Sequence, residues 1–210
     1  MDLKKVRISS LPDEIGYLIH LRYLRFSGMY LEMLPSTVTR LSNLHTLNLK
    51  STSIHMLPDD IGKMDQMQHL LLFRQCRISN GTQLHLGKLQ TLTSVEAGGW
   101  IEDGLIKLTN LREIGITGVA IRGDLDMTLS RSVSKLVLLR SLLLIAGHQS
   151  TIPALEFSSN HQHLYKMELS GCIEKLLDLH EFPPKTVKIR ARPDGNAGEA
   201  AKASDSQITN

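Results

Sequence analysis

The sequence predicts an α/β solenoid, with a curved parallel β-sheet lining the concave side and loops and short helices returning along the convex side. Three observations carry that prediction. One apolar pattern recurs at a fixed offset, leucine dominates a chain of 210 residues in which aromatics make up only 4%, and each copy of the pattern opens with the alternation of a half-buried strand. Leu24, Phe26, Leu31, Leu34, Pro35, Val38, Leu41 and Leu44, moved forward by 23 positions, become Leu47, Leu49, Ile54, Leu57, Pro58, Ile61, Met64 and Met67. Moved back by 23, they become Met1, Leu3, Ile8, Leu11, Pro12, Ile15, Leu18 and Leu21, so three units share one register.

Within a unit, Leu47 and Leu49 point inward and Asn48 points to the other face, the period of a strand. Thr52-x-Ile54 then turns the chain. Leu57-Pro58-Asp59-Asp60-Ile61-Gly62 forms the return leg, where proline suits a turn or first helical position and the paired acids suit a helical N-terminus. This is the unit of a leucine-rich repeat, and about eight or nine such turns make one domain, expected over 1–192. Met1-Asp2-Leu3 aligns with Leu24-Arg25-Phe26, so the first unit opens inside a strand; the expectation is a C-terminal piece of a longer chain, or a truncated product.

Later units keep the strand signature with looser spacing. It reads as Met67-x-x-Leu70-x-Leu72, Leu92-x-x-Val95-x-Ala97, Leu111-x-x-Ile114-x-Ile116, Leu139-x-x-Leu142-x-Leu144 and Leu164-x-x-Met167-x-Leu169, at intervals of 25, 19, 28 and 25. Such irregularity predicts insertions in the convex loops. A weaker copy, Pro184-x-x-Val187-x-Ile189, closes the array. From Pro193 onward Ile208 is the only large aliphatic residue, too little to offset the entropy of ordering, so 193–210 reads as a disordered tail.

Composition narrows the function. A net charge of +3 without basic clusters and stacking aromatics gives no case for nucleic acid. The longest apolar runs fall short of a membrane span and no secretory leader opens the chain, so a reducing cytoplasmic setting is the expectation. Cys76 and Cys172 stand several turns apart and are not expected to pair; both read as buried structural thiols, Cys172 at the turn position that follows a strand. The Asn80-Gly81-Thr82 sequon matters only in a secreted protein.

Catalytic patterns are missing: there is no phosphate loop, no H-E-x-x-H and no G-x-S-x-G, so an enzyme is not expected, nor a cofactor or metal. His161 and His163, on a polar segment, together with His148 and His180, lack a cysteine or carboxylate at ligand spacing and read as a solvated loop.

The informative side chains alternate with the inward ones. By the strand rule the outward set runs Tyr23, Arg25, Ser27; Thr46, Asn48, Lys50; His69, Leu71, Phe73; Ser94, Glu96, Gly98; Glu113, Gly115, Thr117; Ser141, Leu143, Ile145; Lys166, Glu168, Ser170; and Thr186, Lys188, Arg190. Two apolar pairs, Leu71 with Phe73 and Leu143 with Ile145, interrupt a polar face. Apolar residues there, with anchors such as Tyr23, Arg25, Lys50 and His69 beside them, are candidates for gripping a protein partner, although a neighbouring domain covering these strands explains the pattern as well. Lys4, Arg25 and Lys50 form a modest basic stripe at one end.

The run from Ser10 to Leu24 (Ser10-Leu11-Pro12-Asp13-Glu14-Ile15-Gly16, then Tyr17-Leu18-Ile19-His20-Leu21-Arg22-Tyr23-Leu24) resembles the leucine-rich repeats of plant coiled-coil nucleotide-binding disease-resistance proteins. The likeness continues in Leu57-Pro58-Asp59-Asp60-Ile61-Gly62-Lys63, in Gly87-Lys88-Leu89-Gln90-Thr91-Leu92, in Lys107-Leu108-Thr109-Asn110-Leu111-Arg112-Glu113-Ile114 and in Leu169-Ser170-Gly171. The resemblance implies a recognition and autoinhibitory surface, with a pathogen effector or a nucleotide-binding module, in cis or trans, as partner. It carries over neither the coiled-coil nor the nucleotide-binding module. Ras-group repeat scaffolds share the 23-residue unit and are the alternative, but they usually place Asn after the strand, where this chain has Met29, Thr52 and Cys172. An extracellular ectodomain would carry Gly-x-Ile-Pro return legs, which this chain lacks.

Overall fold

The computed structural model describes residues 1–4, 10–27, 30–79, 82–120, 124–148, 150–155, 161–173 and 188–192. Each repeat contributes one strand to a sheet in which every neighbouring pair is parallel. The strands are β1 (Asp2–Lys4), β2 (Tyr23–Ser27), β3 (Thr46–Asn48), β4 (His69–Cys76), β5 (Thr91–Glu96), β6 (Glu113–Val119), β7 (Ser141–Ala146), β9 (Lys166–Ser170) and β11 (Lys188–Arg192), side by side in chain order. Two short strands, β8 (Thr151–Ile152) and β10 (Cys172–Ile173), pair separately.

The register follows the 23-residue offset where that offset holds. Leu3 pairs with Phe26, and Leu24 with Leu47, which in turn pairs with Leu70. Leu24, Leu47 and Leu70 are at most 1% exposed, so each rung buries a full aliphatic side chain, a contribution of roughly 1.5–3 kcal/mol apiece. In the first three units the return leg is a 3-10 turn: Asp13–Tyr17, Ser36–Arg40 and Asp59–Lys63. Pro12, Pro35 and Pro58 stand just before these turns in extended backbone, with φ of −68°, −64° and −57°, values the pyrrolidine ring already favours. Proline thus takes the residue preceding the turn rather than its first position.

A tight approach explains the glycine of the Ile-Gly pair. A Cβ on Gly16 would lie 2.6 Å from the Thr37 backbone oxygen, and one on Gly62 would strike the Gln83 oxygen. Consecutive return legs therefore stack backbone on backbone there. Between units, Asn43 Nδ2 donates to Ile19 O at 2.9 Å and Asn110 Nδ2 to Gly87 O at 2.6 Å, tying the turns before β3 and β6 to the preceding unit. Thr52, buried at 3%, donates from Oγ1 to Leu49 O at 2.8 Å and so satisfies the turn after β3, where other repeat proteins place Asn.

Two helices stand among the later return legs. α1 (Trp100–Asp103) buries Trp100, whose Nε1 donates to Glu96 O at 2.8 Å, and α2 (Asp124–Lys135) packs beside it. The 28-residue interval after Leu111 is the unit that holds α2, as an insertion in the convex loop requires.

Three expectations are corrected. Leu92, not Val95, is the partner of Leu70 and Ile114; Val95 pairs with Cys76 and Ile116 one step further along. Unit starts are therefore Met67, Leu89 and Leu111, evenly 22 apart. At the last strand Ile189 pairs with Met167 and Ala191 with Leu169, two residues from the anticipated register, which leaves the alternation of faces unchanged. His161 is buried, 0% exposed, with Nε2 3.1 Å from Val133 O near the end of α2. It occupies the core position three residues before Leu164, where other units carry Leu41, Met64, Leu86, Leu108 and Leu136. His163 is exposed as expected. The tail at 193–210 lies outside the described residues.

Candidate functional site

Alternation along each strand builds the outward face. Its middle row, read across the sheet, runs Asp2, Arg25, Asn48, Leu71 and Thr93, as paired from β1 to β5. On β6, β7 and β9 the same row continues as Gly115, Leu143 and Glu168. A second row beside it holds Tyr23, Thr46, His69, Thr91, Glu113, Ser141 and Lys166.

The anticipated residues fall on this face in three groups. Tyr23, 40% exposed, and Arg25, half-buried, stand on β2, while Lys50 is exposed two residues past the end of β3. His69, Leu71 and Phe73 project from β4, with Phe73 45% exposed and the other two half-buried. Leu143 and Ile145 project from β7, both half-buried. Adjacent strands lie about 4.8 Å apart, so Leu71 and Leu143, three strands distant, are separated by about 14 Å. The two apolar pairs are distinct anchors rather than one patch.

Of what lies between them, Gly115 was expected on this face and Thr93 was not. A Cβ on Gly115 would meet Ser94 N at 3.2 Å and Leu143 Cδ2 at 3.5 Å, so Gly115 is buried with the Leu143 side chain against it. Ser94 adopts φ +60° and takes up the extra residue that returns Val95 to the core. Ser94, Glu96 and Gly98 were the expected outward residues of this unit; Thr93 holds the middle-row place instead, its Oγ1 accepting from Leu72 N at 3.3 Å, and Glu96 pairs with Thr117. The signal that would have found this is Leu89, which starts the same apolar spacing three residues before Leu92.

Electrostatics locks part of the face. Arg77 Nε and Glu96 Oε2 pair at 2.8 Å, and the hydrogen bond and charge of Glu96 push the Arg77 guanidinium still higher than its ordinary range. His69 Nδ1 lies 3.1 Å from Thr91 Oγ1. Beneath them, Cys76 is 1% exposed, and burial, reinforced by the Glu96 carboxylate, pushes its thiol up to about 12. Cys172 departs from expectation: it is exposed, because its position opens β10 rather than filling a buried turn. Among the described residues no three His, Cys, Asp or Glu side chains gather as metal ligands, and no helix is long and apolar enough to cross a membrane.

Stacked parallel strands, one per unit with a turn returning on the other side, already define the architecture, and the family model for a leucine-rich repeat region matches residues 1–183. The chain belongs to the leucine-rich repeat family. Over 203 residues this leucine-rich repeat chain is 31% identical to probable disease resistance RPP8-like protein 4 of Arabidopsis thaliana, covering 90% of this chain and 22% of that protein. It is 26% identical over 198 residues to the ToMV resistance protein Tm-2(2) of Solanum lycopersicum, covering 86% and 22%. The chain thus spans about a fifth of the length of these curated relatives. Among solved structures, internalin C2 of Listeria monocytogenes matches with a TM-score of 0.60 at 18% identity, over 84% of this chain and 74% of that one. A leucine-rich repeat protein of Leptospira interrogans matches with a TM-score of 0.58 at 17% identity, over 92% and 49%. These likenesses show the fold.

Proposed function

We propose that this chain is the protein-recognition module of a cytoplasmic plant immune receptor, its concave face engaging a pathogen effector or a nucleotide-binding module in cis or trans. The observation that carries the reading is a solvent-facing sheet with Leu71, Phe73, Leu143 and Ile145 set among polar neighbours, in a chain whose likeness to plant disease resistance proteins runs along nearly its whole length. Large apolar side chains held out from a rigid sheet cost little entropy to immobilise and exclude water from the polar contacts around them. Tyr23, Arg25, Lys50 and His69 add aromatic area and positive charge at one end.

The test is co-precipitation. The chain is coexpressed with the nucleotide-binding module of a plant disease-resistance protein, and separately with pathogen effectors. Retention of either by the native chain, and its loss in the Leu71→Glu, Phe73→Glu double variant with an unchanged circular dichroism melt, is the expected result. Equal retention by the double variant overturns the reading. Capture of a small GTPase in place of both would support the Ras-group scaffold alternative.

A further inference from the structure

The turns that lead into the strands form one flank of the solenoid, and its charge is lopsided. Five or six residues make each turn: 17–22, 40–45, 63–68, 85–90, 107–112, 135–140 and 161–165. Together they are about a fifth of the chain, yet they hold eight of its 24 Lys and Arg and, in Asp65, only one of its 21 Asp and Glu. Stacking brings distant charges together. Arg140 N donates to Arg112 O at 2.7 Å and Tyr165 N to Arg140 O at 3.1 Å, so residues far apart in sequence stand one strand step apart, about 4.8 Å at the backbone.

The positive end lies before β6 and β7. Lys107, Arg112, Lys135 and Arg140 are exposed there, and none forms an ion pair among the described residues. Glu113 opens β6 nearby, but Lys166 offsets it in the same row two strands on, and Ser141 between them is neutral. Glu102 and Asp103 lie on α1, in the return leg, and neither pairs with Lys107. Toward the other end the flank is weaker, because Lys63 is tied to Asp60 at 2.7 Å and Asp65 follows it.

Two aliphatic side chains project from the middle of this cluster. Val137 and Leu138 are 40% and 36% exposed at the tip of a turn whose Leu136 and Leu139 are fully buried. The aligned places hold Ser42-Asn43, Asp65-Gln66 and Thr109-Asn110, so the turn itself needs nothing apolar there; Ile19, before β2, is the other large apolar residue on this flank's tips. Tyr165, 47% exposed, stands beside Arg140 on the next turn.

A partner for this cluster has to be anionic and to offer an apolar layer beneath its charge. Three turns span two strand steps, about 10 Å. A stable protein interface takes about 800 Å² from each side, a patch about 30 Å across. A bilayer surface asks for less: cations level with the head groups, small apolar side chains just below them and an aromatic ring at the boundary. Anionic lipids also diffuse laterally and gather under closely spaced cations.

We propose that the turns before β6, β7 and β9 dock the chain on an anionic phospholipid surface. Val137 and Leu138 insert among the head groups, Tyr165 lies at the boundary, and the four cations meet lipid phosphates and carboxylates. This flank adjoins the concave face without using Leu71 or Phe73, so docking leaves that face open.

The experiment is cosedimentation of the full chain with phosphatidylcholine vesicles, with and without a quarter of phosphatidylserine, at low and high salt. The expected result is at least fivefold more sedimentation with phosphatidylserine, most of it lost at high salt. Val137→Ser with Leu138→Ser lowers it several-fold, as does Arg112→Glu with Arg140→Glu or the milder Arg112→Gln with Arg140→Gln, each with an unchanged circular dichroism melt. Leu71→Glu with Phe73→Glu leaves it unchanged, which separates this surface from the recognition role proposed above. In Leu138→Trp, lipids brominated on the acyl chain quench the added emission. Equal sedimentation with both vesicles, none with either, or native sedimentation by the arginine variants overturns the proposal. An unquenched Leu138→Trp overturns insertion, and capture of an acidic protein or a nucleic acid through Arg112 and Arg140 without vesicle binding overturns the lipid partner.

Discussion

His161 stands where its neighbouring units place leucine or methionine, fully buried beneath α2. Its ring reaches Val133 O, a carbonyl that also accepts from Leu136 N at 2.9 Å and so keeps a partner if the imidazole is removed. His161→Ala is therefore expected to cost about 2–4 kcal/mol, chiefly through the cavity, whereas His161→Leu should lose under about 1.5 kcal/mol because the column already fits that shape. Urea midpoints of the two variants check this, and an equal loss would show that the ring's polar contacts dominate. Cys76 and Cys172 should separate as cleanly. With its thiol pushed up to about 12, Cys76 holds on the order of 10⁻⁴ of thiolate at pH 8 and is 1% exposed. A thiol reagent should thus titrate Cys172 rapidly in the native chain and Cys76 only on unfolding. The raised folded value also fixes a sign: the neutral thiol's contribution is intact below about 9, its ordinary value, and is lost as pH rises toward 12. Stability of the native chain should fall more steeply over that interval than stability of Cys76→Ala, read as urea midpoints against pH.

The return leg is held by closeness as much as by apolar burial. In Asp59–Lys63 a side chain at Gly62 would press on the backbone of Gln83 rather than on a movable group, so Gly62→Ala should destabilise by about 1–3 kcal/mol although Ala favours helical backbone. Exposed Lys63→Ala, one residue on, loses only its surface pair with Asp60 and should stay within about 0.5 kcal/mol. Thermal melts of both variants compare them directly. This element also shows what sequence periodicity can and cannot carry. Where the offset stays at 23, the inward column, the outward column and the return leg all follow from counting, and Tyr23, Arg25, His69 and Leu71 were legible as surface. Leu89, Leu92 and Val95 are apolar at spacings of three, so two registers satisfy the same pattern. The choice between them rests on Ser94 at φ +60° and Gln75 at φ +56°, and residues of that type do not announce a positive φ as glycine would. That bulge decides whether Thr93 or Ser94 stands between the two apolar anchors, which is why the residue there was not visible beforehand. His161 was misplaced for a related reason: a polar residue in a core column looks like a loop unless Leu164 is used to fix the phase.

A solenoid in which each strand touches only its neighbours distributes its stability along one dimension, and the sheet order here is sequential from β1 to β7 without a crossover. Damage to one rung should then spread by proximity rather than unfold everything at once. Leu47 on β3 is fully buried between Leu24 and Leu70, and an unpaired carboxylate there costs several kcal/mol, more than one interface between units can absorb. In Leu47→Asp, amide hydrogen exchange should lose protection in β2, β3 and the start of β4. The strands from β6 to β9 lie three or more units away, are braced by α1 and α2, and should keep theirs. If the same substitution abolishes protection uniformly, the array is cooperative over its whole length. If protection is lost only locally, the two apolar anchors sit in regions that open independently.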